Sequence, residues 1–447
     1  MNFHISDYKK YYRRIGRLAF PLLLGQVGTI AVGFADNIMV GHYSTAALAS
    51  ASFVNNVFNI AIFCSLGFTY GLTPLIGALF TRGEHDGIGR MMRTALKVNI
   101  VFTLCVLALM GVLYFNLHHM GQPEELLPII RPYYLIVYAG IIPLMLFNLF
   151  AQWSFGINDT GLPTWIVLAA NVLNIAGNYV LIFGHFGCPE LGLNGAGYST
   201  LGARILCAIV MMWVFFGSRK GSEYRGGFSH GAAVRGQWKK ILATGFPVSM
   251  QMTFETVSFS GSAVFAGWLG EIPLAAFQIV VISGMLGFCI YYSIGGAMAI
   301  EVSHAAGEND AHGMRRAAYA GYHMILAAMV LVSIVFLTGG RHIMGIFSSD
   351  PAVIGLAVTI IVPMVLYQFG DATQITFANA LRGTSKVMPM LYTAFISYIV
   401  VGLPISYAFG FTFGMGLYGI VLSFTVCLLL AALLYYVFFL RATRING

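Results

Sequence analysis

Apolar runs of twenty residues and more recur along the whole chain, and no motif limits the fold as strongly. About 20 apolar residues in helical form cross a ~30 Å hydrocarbon core. We read twelve such runs, at roughly 16–38, 46–72, 93–117, 127–153, 163–185, 193–217, 240–268, 273–300, 316–338, 352–378, 388–412 and 416–440. A membrane β-barrel would show short segments of alternating hydrophobicity instead. The expected fold is all-α and polytopic, with twelve transmembrane helices. With 58% of residues hydrophobic and 9% charged, against about a quarter charged in soluble domains, no room is left for a separate soluble domain. The basic first residues are followed by no small-residue cleavage site, so no removed signal peptide is expected.

The formal net charge of +8 invites a nucleic-acid reading, but the positions of the charges oppose it. Lys9, Lys10, Arg13, Arg14 and Arg17 lie at the N-terminus, about the start of the first span. Arg82, Arg90, Arg93 and Lys97 lie about the second loop, and Arg219, Lys220, Arg225, Arg235, Lys239 and Lys240 fill the sixth. Arg315, Arg316, Arg382, Lys386, Arg441 and Arg444 fall on the same side, while the opposite loops hold only Arg131 and Arg341. This is a topology signal that puts both termini in the cytoplasm. Of the six cysteines only Cys188 falls in a loop, and the others show no metal-ligand spacing.

The halves repeat. FPLLLGQVGTIAVGFADNIMVGHYSTAALA begins at Phe20 and FPVSMQMTFETVSFSGSAVFAGWLGEIPLAA at Phe246, so that Pro21 matches Pro247, Gly41 matches Gly267 and Leu48 matches Leu274. Gly83-Glu84-His85-Asp86 matches Gly307-Glu308-Asn309-Asp310, and Pro163 matches Pro389. Six spans per half is an even number, so the repeat is parallel, about an axis along the membrane normal; such repeats place substrate sites near the midplane. The expected division is an N-lobe over 1–218, a cytoplasmic basic linker over 219–239 and a C-lobe over 240–447.

Acids interrupt the repeat. Asp36 aligns with Ser262, Glu255 with Thr29 and Asp371 with Met145. Ionisable groups at membrane depth are costly and mark ion or substrate paths. Tyr367, Asp371 and Gln374 share one helical face, as do Asn174 and Asn178. At ~1.5 Å per residue, Asp36, Asn178 and Thr200 reach a similar outer-half depth. A carboxylate with amide and hydroxyl oxygens makes a hard, oxygen-rich site suited to Na⁺ or to a proton. Glu255 and Asp371 overlap in depth near the midplane and together suit one proton or one cation. Tyr367 adds a hydroxyl and a ring face. Arg204, the basic residue deep in a span, reads first as a network partner. Glu301 lies near a span end and is not selected.

Three lookalikes carry nothing. Gly227-Phe228-Ser229-His230-Gly231 has no preceding strand to make it a nucleophile elbow. Gly414-Met415-Gly416-Leu417-Tyr418-Gly419 joins two spans outside any βαβ unit. Asn158-Asp159-Thr160 is a glycosylation sequon on the cytoplasmic side. No Walker A motif is present, and no catalytic constellation stands out, so an enzyme is not expected.

Taken together, the first-span segment FPLLLGQVGTIAVGFADNIMVGH, the GE.D pattern of the second and eighth loops, NVLNIAGNYVLIFG in span five and the contexts of Glu255 and Asp371 resemble the multidrug and toxic compound extrusion (MATE) family, in its NorM-like bacterial branch. The resemblance covers nearly the whole chain. It implies two six-helix lobes related by pseudo-two-fold symmetry in a V, and a multi-pass protein of the bacterial inner membrane acting as a monomer. It further implies export of amphipathic, often cationic drug-like molecules in exchange for Na⁺ or H⁺, with no other cofactor and no nucleic acid. Cation coupling carries over onto Asp36, Asn174, Asn178 and Thr200 in the N-lobe, and onto Glu255, Tyr367, Asp371 and Gln278 in the C-lobe, with Na⁺ at Asp36 or at Glu255 and Asp371. The alternative is a flippase of related architecture for lipid-linked saccharides, which would need a cationic cavity for phosphates.

Overall fold

The computed structural model describes residues 8–120, 123–231, 234–348 and 350–444. Helices account for the fold, with no strand among the described residues. In chain order they are α1 (Lys9–Tyr43), α2 (Thr45–Tyr70), α3 (Leu72–Thr81), α4 (His85–Phe115), α5 (Leu127–Ala139), α6 (Ile141–Gly156), α7 (Gly161–Phe183), α8 (Leu193–Gly217) and α9 (Arg219–Ser229). There follow α10 (Gln237–Trp268), α11 (Glu271–Gly307), α12 (Ala311–Phe347), α13 (Pro351–Thr359), α14 (Ile361–Gly383), α15 (Met388–Ala394), α16 (Leu403–Tyr407) and α17 (Gly416–Ala442). Two π-helical stretches, Phe395–Gly402 and Ala408–Thr412, flank α16.

Ten helical segments among the described residues are long and apolar enough to span a membrane, and eleven if the bent pair α13–α14 counts as one. The twelfth expected span is α10. Its 32 residues are long enough, at ~1.5 Å each. However, its sequence carries Gln251, Glu255 and several Ser and Thr, and it falls outside the apolar set.

Prolines explain the broken spans. α2, α5 and α13 end at Tyr70, Ala139 and Thr359, each four residues before a proline: Pro74, Pro143 and Pro363. Proline supplies no N–H to the carbonyl four residues back and crowds it, so the helix stops or bends there; α13 and α14 meet at 50°. Side-chain caps fix other starts: Ser44 accepts from the Ala47 N–H, Asp310 from Gly313 and Asp350 from Ala352. Both α1 and α10 continue as helix through their internal prolines, Pro21 and Pro247.

The chain separates into two compact units, one of Leu24–Ser249 and the other of Met1–Leu23 with Met250–Gly447. The divisions fall inside α1 and α10 rather than at the expected linker, and at equivalent points of the repeat, just after Pro21 and Pro247. Local contacts give the reason. In the Leu24–Ser249 unit the lower half of α10 crosses the α2–α3 break backbone to backbone. A Cβ at Gly71 would lie 2.6 Å from the Gly245 nitrogen, and one at Gly245 would lie 2.7 Å from the Phe68 carbonyl oxygen. Ser249 donates to the Cys64 carbonyl at 2.7 Å. In the other unit the start of α1 is held by Tyr12 hydrogen-bonded to His323 at 2.9 Å and by Arg14 paired with Glu301 at 3.6 Å. Glu301 is thus buried and paired.

The expected linker is also more ordered than a loop. α9 packs along α4. Gly89 meets the Tyr224 carbonyl and Gly227 the Asp86 carbonyl, at separations that leave no room for a side chain. Thr94 donates to Gln237 at 2.9 Å.

Candidate functional site

In the Leu24–Ser249 unit, α1, α7 and α8 assemble a polar network. Asn178 on α7 donates to Asp36 Oδ1. With its amide nitrogen turned toward Asp36, Asn174 donates to the same oxygen at 3.2 Å, while its own oxygen accepts from the Thr200 N–H at 3.0 Å and hydroxyl at 3.1 Å. That orientation satisfies both ends of the amide and is the one the network selects. Ser199 donates to the Asn174 carbonyl at 2.7 Å. Asn174 and Asn178 are buried, Asp36 and Thr200 half-buried. All four residues expected here therefore meet. Among the described residues the buried Asn178 amide oxygen has no partner, which leaves it an acceptor for a water or a cation.

This unit also supplies a cation of its own. Arg204 lies one turn beyond Thr200 on α8 and within electrostatic reach of Asp36 and Tyr133. The α5–α6 break makes room for it: a Cβ at Gly140 would lie 2.9 Å from Arg204 Nη1.

In the other unit, α10, α11, α14 and α17 surround a different cluster. Glu255, half-buried on α10, accepts from Gln251 Nε2 at 2.6 Å, one turn back. Asp371 on α14 is 7% exposed and within electrostatic reach of Glu255. Tyr367, one turn before Asp371, is buried, with its ring edge-on to Phe424 at 5.8 Å. Its hydroxyl fills the space left by Gly284, where a Cβ would lie 2.5 Å away. Tyr291 is fully buried, bonds Gln368 at 3.5 Å and lies near Asp371. Gln374 is buried, and among the described residues its amide oxygen has no partner. Among the described residues no ion pair involves Glu255 or Asp371.

Glu255, Tyr367 and Asp371 thus gather as the sequence led us to expect, whereas Gln278 is exposed on α11, outside the buried group. Sequence reasoning missed Gln251, Tyr291, Tyr398 and Tyr435. Gln251 carried a usable signal in its i, i+4 spacing to Glu255. The tyrosines had none beyond being aromatic in apolar runs. No group of three or more His, Cys, Asp or Glu forms among the described residues; both clusters are oxygen-rich, which suits hard cations rather than soft transition metals.

The profile described as MatE matches residues 21–180 and 247–408. Relatives include a probable multidrug resistance protein NorM of Xanthomonas axonopodis pv. citri, 30% identical over 397 residues, covering 88% of this chain and 86% of that protein. The multidrug resistance protein NorM of Vibrio cholerae is 26% identical over 405 residues, covering 91% and 89%. Among solved structures, an outward-facing multidrug resistance MATE family transporter superposes with a TM-score of 0.87 at 17% identity, covering 97% of this chain and 96% of that one. A eukaryotic MATE transporter gives 0.87 at 18% identity, covering 98% of each. At these identities the structures speak for the fold alone.

Proposed function

The chain belongs to the MATE family of membrane transporters, and from that premise we propose that it is a multidrug efflux antiporter that exchanges amphipathic, often cationic compounds for Na⁺ or H⁺. It is a transporter, not an enzyme. One observation carries the coupling reading: Glu255 and Asp371 share a membrane-spanning cluster in which, among the described residues, neither has an ion-pair partner. Two carboxylates in such surroundings are strongly unfavourable unless a cation or proton offsets them. The cluster offers two carboxylates, the Tyr367 hydroxyl and amide oxygens to an ion that enters from outside. Asp36 with Asn174, Asn178 and Thr200 is the second candidate, and Arg204 already offsets part of its charge.

Coupling requires that the ion bind one conformation better than the other. Ion binding at Glu255 and Asp371 stabilises the drug-releasing conformation, and its departure to the cytoplasm restores drug affinity. The protein works as a monomer in the bacterial inner membrane with both termini cytoplasmic, as the basic loops indicate.

The test is efflux of ethidium from proteoliposomes under an imposed Na⁺ gradient and, separately, a pH gradient. Acceleration by one gradient, lost in Asp371→Asn and Glu255→Gln, is the expected result. No response of folded wild-type protein to either gradient would remove antiport and favour the lipid-linked saccharide flippase.

A further inference from the structure

Tyr398 and Tyr435 are fully buried, and among the described residues neither hydroxyl has a hydrogen-bond partner. A phenol in an apolar interior normally finds one, because an unmade bond costs free energy. Tyr398 sits in the π-helical stretch Phe395–Gly402. π-turns are rare and concentrate at functional sites. Pro404, next but one after this stretch, removes an N–H that an α-helical ladder would need.

Side-chain register shows what the hydroxyl is near. α10 runs alongside the π-helical stretch and α16. Phe254 meets Phe395 with ring centroids 5.6 Å apart. A Cβ at Gly402 would lie 3.3 Å from Ser258 Oγ, and Ser262 Oγ is 3.3 Å from Ser406 Oγ. Glu255 precedes Ser258 by one turn and Tyr398 precedes Gly402 by about one turn, so the two come to the same level. Glu255, Tyr435, Cys427 and Asp371 all lie within electrostatic reach of the Tyr398 hydroxyl. Tyr435 lies near the same carboxylate.

We propose that Tyr398 is a positioning residue of this cluster: its hydroxyl is the alternate donor to the Glu255 carboxylate, holding it toward Phe395–Gly402 whenever no cation draws it toward Asp371. The proposal rests on the coupling role given above to Glu255 and Asp371. A donor to the ion-free carboxylate stabilises the ion-free state, and so weakens ion binding and speeds release. The π-turn gives the local backbone the slack to let Tyr398 follow the carboxylate.

The experiment measures ethidium efflux from proteoliposomes against the concentration of the ion, Na⁺ or H⁺, that drives wild-type protein. Tyr398→Phe removes only the hydroxyl. The expected result is a half-saturating ion concentration about tenfold lower than wild type, with a reduced maximal rate because release is slowed. Tyr435→Phe moves both parameters the same way by a smaller factor. A merely structural hydroxyl would not tighten ion binding while slowing turnover. An unchanged half-saturating concentration in Tyr398→Phe, with wild type responding normally, overturns the role of Tyr398 alone. A raised one would make Tyr398 a direct ion ligand and equally overturns it. Failure of Tyr398→Phe to fold, judged by size-exclusion and thermal melting, shows the hydroxyl to be structural and also overturns it. A wild type that responds to neither gradient removes the coupling reading and this inference together.

Discussion

The Asp36 cluster and the Glu255–Asp371 cluster stand on equivalent halves of one repeat, yet they balance charge in opposite ways. Asp36 is a single carboxylate that takes two amide donors on one oxygen and has a guanidinium within electrostatic reach. Among the described residues, Glu255 and Asp371 are two carboxylates with one amide donor between them, several phenols and no ion-pair partner. The repeat shows where the difference arises. With Leu193 matched to Leu417, Arg204 corresponds to Leu428, which packs on Gly370 beside Asp371. On the coupling role proposed above, one half carries its own cation and the other takes one from solution, so that a duplicated scaffold keeps its helix packing while only one half depends strongly on an external ion.

The largest effect that sharpens this contrast comes from Asp371→Asn or Glu255→Gln. Gradient-driven ethidium efflux should fall by about a hundredfold or more, since removing either carboxylate destroys the two-anion site. Next is Arg204→Gln. Without its guanidinium the Asp36 cluster becomes an uncompensated carboxylate with a free amide oxygen. It should then bind the coupling ion itself, raising the number of ions bound per chain from one toward two and slowing efflux about tenfold. A stoichiometry left at one in that variant would break the comparison. Asn178→Ala comes third: it removes a hydrogen bond to a carboxylate, worth about 1.5–3 kcal/mol, and should lower the Tm of the detergent-solubilised protein while leaving the half-saturating ion concentration within a few-fold of wild type. Gln278→Ala is the smallest, with efflux expected within about twofold of wild type, as for exposed positions generally.

Much of this arrangement was legible in the sequence. The Asp36 network follows from an i, i+4 pair of asparagines and from matching depths on three helices, and those are properties of regular helices alone. Asp371, Tyr367 and Glu255 stood out because acids are rare in apolar runs and because the repeat lacks them elsewhere. Tyr398 was hidden. FISYIVVG reads as lipid-facing or packed helix, and a π-turn shifts which residues share a face, so the 3.6-residue period cannot place it. The basic stretch 219–239 read as a linker because its charges dominate its composition. What orders α9 is the close approach of Gly89, Gly221 and Gly227 to the carbonyls of Tyr224, Phe215 and Asp86, a tertiary fit that no local pattern announces. Likewise, the division of the chain within α1 and α10 depends on the Gly71–Gly245 crossing and on the Tyr12 and Arg14 contacts. Only the equivalence of the two dividing points is foreshadowed, by the paired Phe-Pro motifs.

The most direct measurement is equilibrium binding of the coupling ion to purified protein, as ²²Na⁺ binding or as proton uptake, in wild type, Asp36→Asn, Glu255→Gln and Asp371→Asn. The expected result is one ion per wild-type chain, retained in Asp36→Asn and lost in the other two. Loss of the ion in Asp36→Asn with retention in Glu255→Gln and Asp371→Asn would contradict it, and would move the coupling site to the half that holds Arg204.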